Sequence, residues 1–301
     1  MAVDPLSEAI ALLRPQAVFS KVISGAGRWA VRYSKFGQPS FCVVLEGNCR
    51  LAVDGQPPLA LAAGDFVLLP ATPGFTMTSV DPGTPVDVDA RTAAADAAGR
   101  AVRHGPRGER VDVRLLGGYF SFASPDTSLL VSLLPAIVHV RGSQRLPLLV
   151  SLVRDESLDR RPGRELVLTR LVEVLLIEAL RAAPGEDAAP GLLRGLEDKR
   201  LAVALRTMHG DPARAWTVEQ LARKSALSRS AFFDRFTRAV GMPPMEYLLA
   251  WRMAVAKTLL RQKDMAIAEV AERVGYGSAS TFSTAFSRHV GQPPGQYARM
   301  Q

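Results

Sequence analysis

The stretch Ser228-Arg-Ser-Ala-Phe-Phe-Asp-Arg-Phe-Thr-Arg-Ala-Val-Gly-Met-Pro-Pro-Met-Glu-Tyr247 returns 50 residues later as Ser278-Ala-Ser-Thr-Phe-Ser-Thr-Ala-Phe-Ser-Arg-His-Val-Gly-Gln-Pro-Pro-Gly-Gln-Tyr297. Phe232, Phe236, Gly241, Pro243, Pro244 and Tyr247 recur as Phe282, Phe286, Gly291, Pro293, Pro294 and Tyr297. Upstream the offset is 49, Ala222 matching Ala271, so the copies differ by one residue in the intervening turn. Two copies are too few to stack as a solenoid.

Each copy reads as a helix, a tight turn and a helix. In the first, Thr217-Val-Glu-Gln220 fits a capping box that opens a helix through about Ser225. Ala226-Leu-Ser228 makes the turn, and Ser228 caps a helix Arg229–Val240 that Gly241 ends. The second runs from about Ala266 to Val274, through Gly275-Tyr-Gly-Ser278, into Ala279–Val290 and Gly291. The Phe pairs lie at i,i+4 and face a core. Arg229, Ser230 and Phe233 of one copy, and Ser280, Thr281, Ser283 and Thr284 of the other, therefore face out. Small hydroxyl side chains let a helix sit deep in a major groove and bond base edges or phosphates. Between the copies Pro244–Arg261 forms one amphipathic helix of about 17 residues, roughly 25 Å long, able to space two helices for successive major grooves about 34 Å apart.

Charge divides the same way. Residues 196–301 hold 16 Lys+Arg against 9 Asp+Glu, a net +7 of the chain's +8, while residues 1–195 hold 21 against 20. Such asymmetry suits a polyanionic partner, nucleic acid before membrane surface. Lys224, Arg229, Arg235, Arg238, Arg252, Lys257, Arg273 and Arg288 are the candidates for phosphate contacts.

A length of 301 residues and 48% hydrophobic content allow two packed domains. Glu173 and Glu178 interrupt the most apolar stretch, so no membrane span is expected. Asp4 and Glu8 stand where a signal peptide would be basic, and a cytoplasmic location is expected. Two cysteines, Cys42 and Cys49, build neither a disulfide framework nor a four-cysteine zinc site.

Residues 28–80 are β-rich. Phe41–Leu45 and Cys49–Val53 flank Glu46-Gly-Asn48, a hairpin signal, and Leu59–Leu61, Phe66–Leu69 and Phe75–Val80 follow at close spacing. At least five short strands predict a small antiparallel sandwich or barrel. Residues 81–110 read as a long loop and Val111–Phe122 as a returning strand. From Ser128 the apolar period turns helical at Leu129, Leu130, Leu133 and Leu134, and two helices are expected, the second about Arg164–Arg181. The Pro/Gly-rich 183–195 is the linker candidate.

The segment 196–301 resembles the AraC/XylS-type DNA-binding domain. The resemblance rests on Trp216-Thr217, Leu221-Ala222, Ser228-Arg-Ser230, Phe236, Gly241, Pro243-Pro-x-x-Tyr247 and Trp251-Arg-Met253. Ile267-Ala-Glu-Val-Ala271, Val274-Gly-Tyr-Gly277, Phe282, Phe286 and Pro293-Pro-x-x-Tyr297 complete it. It implies base-facing positions at Ser230, Ala231, Phe233 and Asp234, and at Ala279, Ser280, Thr281, Ser283 and Thr284. Asp234 departs from the basic or polar residue often found there; it either reads a cytosine amino group or pairs with Arg238.

The front region resembles the cupin-type sensory domain that precedes such regulators, through Gly64-Asp-Phe-Val-Leu-Leu-Pro70 with Pro73-Gly74, and Gly47 with Asp54-Gly55. Metal-binding cupins use a His-x-His pair, a carboxylate and a later histidine, a pattern this chain lacks. Its four histidines are His104 in the presumed loop, His139 after a helical run, and His209 and His289 in the last domain. No metal and no cofactor are expected, and a cupin enzyme is disfavoured. A small effector among apolar walls is expected instead, with Trp29, Arg32, Phe41 and Phe66 as pocket candidates. Cys42 and Cys49 are either apolar strand residues or reversibly oxidised thiols.

The expected architecture is therefore α+β in two domains. Residues 1–182 form a cupin-like antiparallel β-barrel with trailing helices, 183–195 a linker, and 196–301 an all-α domain with two helix-turn-helix units. The expected function is a sequence-specific transcription regulator that binds double-stranded promoter DNA under control of a small effector and recruits or excludes RNA polymerase. The resemblance also favours a homodimer. The alternative is a ligand-independent or thiol-responsive regulator whose barrel mainly dimerises.

Overall fold

A computed structural model describes residues 4–13, 15–89, 102–122, 131, 134–158, 161–182, 190–262 and 265–299. Packing divides the chain into two compact units, Leu13–Ala188 and Met1–Leu12 with Ala189–Gln301.

The first unit is β-rich. Its strands are β1 (Pro15–Ala26), β2 (Ala30–Tyr33), β3 (Ser40–Glu46), β4 (Asn48–Val53), β5 (Leu59–Ala62), β6 (Phe66–Leu69), β7 (Phe75–Thr78), β8 (Pro85–Val88), β9 (Val102–His104), β10 (Val111–Phe122) and β11 (Val138–Val140). They form two sheets, ordered β11-β6-β3-β10-β1-β9 and β5-β4-β7-β2-β8, rather than one closed barrel among the described residues. Most neighbours are antiparallel, but β9 joins β1 and β8 joins β2 in parallel. The hairpin expected around Gly47 is corrected: β3 pairs with β10 and β6 and β4 with β5 and β7, so the turn carries the chain from one sheet to the other, through a left-handed Gly47 where a Cβ would strike the Asp112 carbonyl oxygen.

Alternation fills the space between the sheets. Trp29, Val31 and Tyr33 point inward from the β2 region, and Cys49, Leu51 and Val53 from β4. β6 is buried on both faces, and Asp65 at its start is pinned by His139 of β11, whose Nε2 lies 3.1 Å from Asp65 Oδ2. Two helices, α2 (Arg145–Leu158) and α3 (Arg164–Arg181), pack on β1. Leu168, Val172, Leu175, Leu176, Ala179 and Leu180 form the buried stripe of α3.

Three further expectations are corrected. The segment 81–110 contains β8 and β9; both are short, mostly exposed edge strands of three or four residues, too brief to stand out from the surrounding loop. His104 and His139 accordingly sit on strands. Leu129, Leu130 and Leu133 lie outside the described residues, Leu134 is in a bend, and the helix before α3 is α2. Within the linker candidate, 183–189 lie outside the described residues, whereas Leu192–Glu197 is a helix, α4. Its glycines serve packing: Gly191 N–H donates to Ala239 O at 2.9 Å, and a Cβ at Gly195 would sit 2.9 Å from Leu205 and Val240.

The second unit is helical. It comprises α1 (Pro5–Leu13), α4, α5 (Lys199–Gly210), α6 (Val218–Lys224), α7 (Arg229–Val240), α8 (Pro244–Arg261), α9 (Ile267–Arg273), α10 (Ala279–Val290) and α11 (Pro294–Arg299). The duplication is exact enough to repeat its aromatic geometry. Phe232 and Phe236 lie 5.6 Å apart at 49°, Phe282 and Phe286 5.4 Å apart at 53°. Tyr247 meets Phe236 edge-on at 5.7 Å, and Tyr297 meets Phe286 at 5.6 Å. The N-terminal helix α1, counted above with the front domain, groups with this unit instead through all of its residues up to Leu12.

Candidate nucleic-acid interface

Both copies are built on the punctuation read from the sequence. Thr217 Oγ1 accepts from Gln220 N–H and Gln220 Oε1 from Thr217 N–H, each at 3.2 Å, completing the capping box of α6. Ser228 Oγ accepts from Ala231 N–H at 3.3 Å to open α7, and Ser278 Oγ from Thr281 N–H at 3.1 Å to open α10. Gly241 and Gly291, both left-handed, close the two helices. Ala226 and Gly275 occupy equivalent left-handed positions in the turns, at φ 52° and 83°. Gly275 is required, because a Cβ there would collide with the Ala213 carbonyl oxygen, whereas Ala226 carries the strain of a side chain in that conformation.

The residues expected to face bases lie on the outward sides of the two helices. Ser230, Ala231, Phe233 and Asp234 are exposed on α7, as are Ser280, Thr281 and Thr284 on α10, with Ala279 and Ser283 half-buried. Phe233 is 41% exposed, beside Val218, Arg229, Ser230 and Asp234 in a shallow depression. Thr284 Oγ1 donates back to Ser280 O at 3.1 Å, and the Thr281 and Ser278 hydroxyls lie 2.7 Å apart. Asp234 makes no ion pair with Arg238 among the described residues, so the expected i,i+4 pairing is absent there.

The cations separate into two groups. Arg229, Arg238, Arg288 and Lys224 are exposed, and Lys224 Nζ lies 5.7 Å over the Trp216 ring. The others have internal work. Arg235 and Arg273 are exposed as well, but Arg235 pairs with Asp198, the cap of α5, and Arg273 with Glu269 at 2.9 Å. Arg252 donates to the carbonyls of Pro212 at 2.7 Å and Arg214 at 2.8 Å, tying α8 to the loop before α6. Lys257 is a correction: it is only 7% exposed, and burial together with Arg261 pulls its ammonium down to about 8.

Beneath the first copy lies a polar chain the sequence did not announce. His209 of α5 stacks on Trp251 at 3.6 Å, its Nε2 is 2.7 Å from Tyr247 Oη, and its Nδ1 is 3.1 Å from Glu8 Oε2 of α1. A carboxylate only accepts, so Nδ1–H donates to Glu8 and, in the neutral ring, Tyr247 O–H donates to Nε2. Burial holds the imidazole below its usual range against the opposing pull of Glu8 and Asp4. In the second copy Arg261 Nη2 donates to Tyr297 Oη at 2.6 Å instead.

The β-rich unit contains an apolar cavity of about 110 Å³. Phe41 lines it; Trp29, Arg32 and Phe66 do not. Trp29 packs in the core against His104, Phe66 lies on the opposite face of β6 from cavity-lining Val67 and Leu69, and Arg32 points outward to Asp54 at 2.6 Å. The wall includes Lys21, Tyr33 and Cys42, which sequence reasoning had not gathered there as one site. Burial pushes the Cys42 and Cys49 thiols up to about 12, toward the protonated form.

These features define a two-unit regulator, a cupin-like β module joined to a double helix-turn-helix module. Residues 4–183 match the Cupin family model and residues 221–300 the Helix-turn-helix domain model. The chain is 39% identical to an AraC-like transcription regulator of Streptomyces lividans and 38% identical to one of Streptomyces antibioticus, with 98% of each chain covered. It belongs to the AraC-like family of DNA-binding transcription regulators.

Proposed function

We propose that the chain binds double-stranded promoter DNA with α7 and α10 in successive major grooves on one face of the duplex. Ser230, Ala231, Phe233 and Asp234 then face one set of bases, and Ala279, Ser280, Thr281, Ser283 and Thr284 the other. Exposed Arg229, Arg238, Arg288 and Lys224 meet phosphates. The observation that carries this reading is the matched pair of serine-capped helices with exposed, small-residue faces on a segment of net +7.

A small molecule in the β-unit cavity controls that binding, and the β unit performs no catalysis. The regulator acts in the cytoplasm and alters access of RNA polymerase to its promoter. Leu148 and Leu152 of α2, with Leu166, Val167 and Val174 of α3, are exposed apolar side chains suited to a homodimer contact. Sites selected from genomic DNA and titrated with the full chain test the reading. Phe233→Ala and Thr281→Ala should each shift base preference at a different half of the site. A shift in neither, with folding intact, would refute the assignment.

A further inference from the structure

Among the described residues Phe233 is the only aromatic side chain that is exposed rather than buried or half-buried, with 41% of its surface open to water. It borders a shallow depression on the outward side of α7, together with Ser230 and Asp234. No core needs it there. Phe232 and Phe236 already supply the buried rings of this copy, and the corresponding position of the other copy is Ser283. Asp234 beside it is equally unattached. It makes neither an ion pair nor a side-chain hydrogen bond among the described residues, although Arg238 follows it by one helical turn. Arg235 is committed to Asp198 instead. A segment of net +7 therefore presents a bare carboxylate next to an open ring. The second copy has neither group: Ser283 and Thr284 hold the two positions, and Thr284 Oγ1 donates to Ser280 O at 3.1 Å.

We infer that α7 recognises a thymine through its 5-methyl group, covered by the Phe233 ring, and a cytosine through its 4-amino group, which donates to the Asp234 carboxylate. The inference names the bases for the DNA reading proposed above and rests on it. The thymine methyl is the apolar patch of the major groove, and a phenylalanine ring is among the side chains that fit it. Cytosine presents an amino donor and no acceptor of its own in that groove, whereas guanine, adenine and thymine each present an acceptor that would face a carboxylate. A negative charge among phosphates is repelled unless it meets such a donor, so Asp234 acts as much by rejecting wrong bases as by binding the right one. Both residues border one depression, so the two bases lie close together in the site.

The test uses the full chain and a genomically selected duplex in which each thymine in turn is replaced by deoxyuridine, a change that removes one methyl and leaves pairing intact. One such replacement should weaken the parent about fourfold, the worth of one methyl-sized apolar group, and leave Phe233→Ala unaffected. In a second series each cytosine–guanine pair is changed to thymine–adenine. At one pair close to that thymine the parent should lose about tenfold or more, while Asp234→Ala loses less than about twofold. Both variants alter exposed side chains, so their melting curves should match the parent's. The inference is overturned if no deoxyuridine weakens the parent, if Phe233→Ala is weakened equally, or if no cytosine depends on Asp234. Hydroxyl-radical protection of the same duplex then separates the two levels. Two protected windows would leave the DNA reading standing, and one or none would take that reading down with the inference.

Discussion

The two helix-turn-helix copies are one scaffold with two surfaces. Their aromatic cores, serine caps and glycine stops agree in kind and nearly in dimension, while most outward residues differ in chemistry, Arg229, Ala231, Phe233 and Asp234 against Ala279, Thr281, Ser283 and Thr284, with Ser230 and Ser280 alike. The first copy shows a half-exposed phenylalanine, a carboxylate and an arginine. The second shows mainly hydroxyls. Their buried sides differ too: the Tyr247 hydroxyl meets a histidine, the Tyr297 hydroxyl an arginine. A duplicated fold keeps what packing demands and diverges where it touches water.

The shared core is the easiest part to break. Phe232→Ala and Phe282→Ala each remove a fully buried ring and should cost about 3–5 kcal/mol, seen in denaturant melts of the full chain together with loss of DNA binding. A variant that keeps the parent melting curve would show that its copy is not held by the aromatic pair. The turns sharpen the comparison. Gly275→Ala should destabilise by about 1–3 kcal/mol, since the left-handed backbone and the Ala213 carbonyl both oppose a Cβ. The converse change, Ala226→Gly, should be close to neutral or stabilise by up to about 1 kcal/mol, because relief of strain is partly offset by greater freedom of the unfolded chain. Equal effects of the two changes would mean the turns are not equivalent.

How much of this was legible follows from where the signals lie. Caps and stops are local: Thr217, Ser228, Ser278, Gly241 and Gly291 act on backbone groups within four residues, so spacing alone placed both copies. The left-handed turn at Gly47 was visible for the same reason, but not that its two flanking strands enter different sheets. Strand register is not local. In Trp29-Ala-Val-Arg-Tyr33 alternation sends Tyr33 into the cavity and Arg32 out to Asp54, yet choosing which parity faces inward needed the partner strands. Lys21 was missed because a lone lysine in a strand reads as a solvated edge. The placement of α1 was illegible as well: a nine-residue amphipathic helix with buried Leu6, Ala9 and Ile10 bears no mark of the unit it will join.

The buried histidine beneath Tyr247 makes the first copy sensitive to acid; in the second copy the more exposed His289 of α10 is also held below its usual range, by burial and by Lys257. The folded state holds His209 below the 6.5 of a free imidazole, so the unfolded state binds its proton first. Stability from this group is therefore complete above pH 6.5 and falls as pH drops through the folded value, with a slope of at most about 1.4 kcal/mol per pH unit. Its counterpart beside Tyr297 is an arginine, Arg261. Melting of the full chain from pH 7.5 to 5 should fall more steeply for the parent than for His209→Gln, and parallel curves would remove the histidine from the account.

Smaller effects belong to the outward faces. Phe233→Ala and Ser230→Ala should leave melting within about 0.5 kcal/mol of the parent, as exposed substitutions do, while relaxing discrimination at their half of the site by about 1 kcal/mol or more. Salt should weaken the parent strongly, and five to seven phosphate contacts correspond to a log–log slope of roughly −4 to −6. Loss of Arg229 or Arg288 should flatten that slope by about one contact each without altering base preference.

The central claim is that both copies engage DNA at once, and hydroxyl-radical protection of a genomically selected site by the full chain tests it most directly. The account predicts two protected windows on one face of the duplex, centred about one helical turn apart. A single protected window, or two on opposite faces, would contradict it.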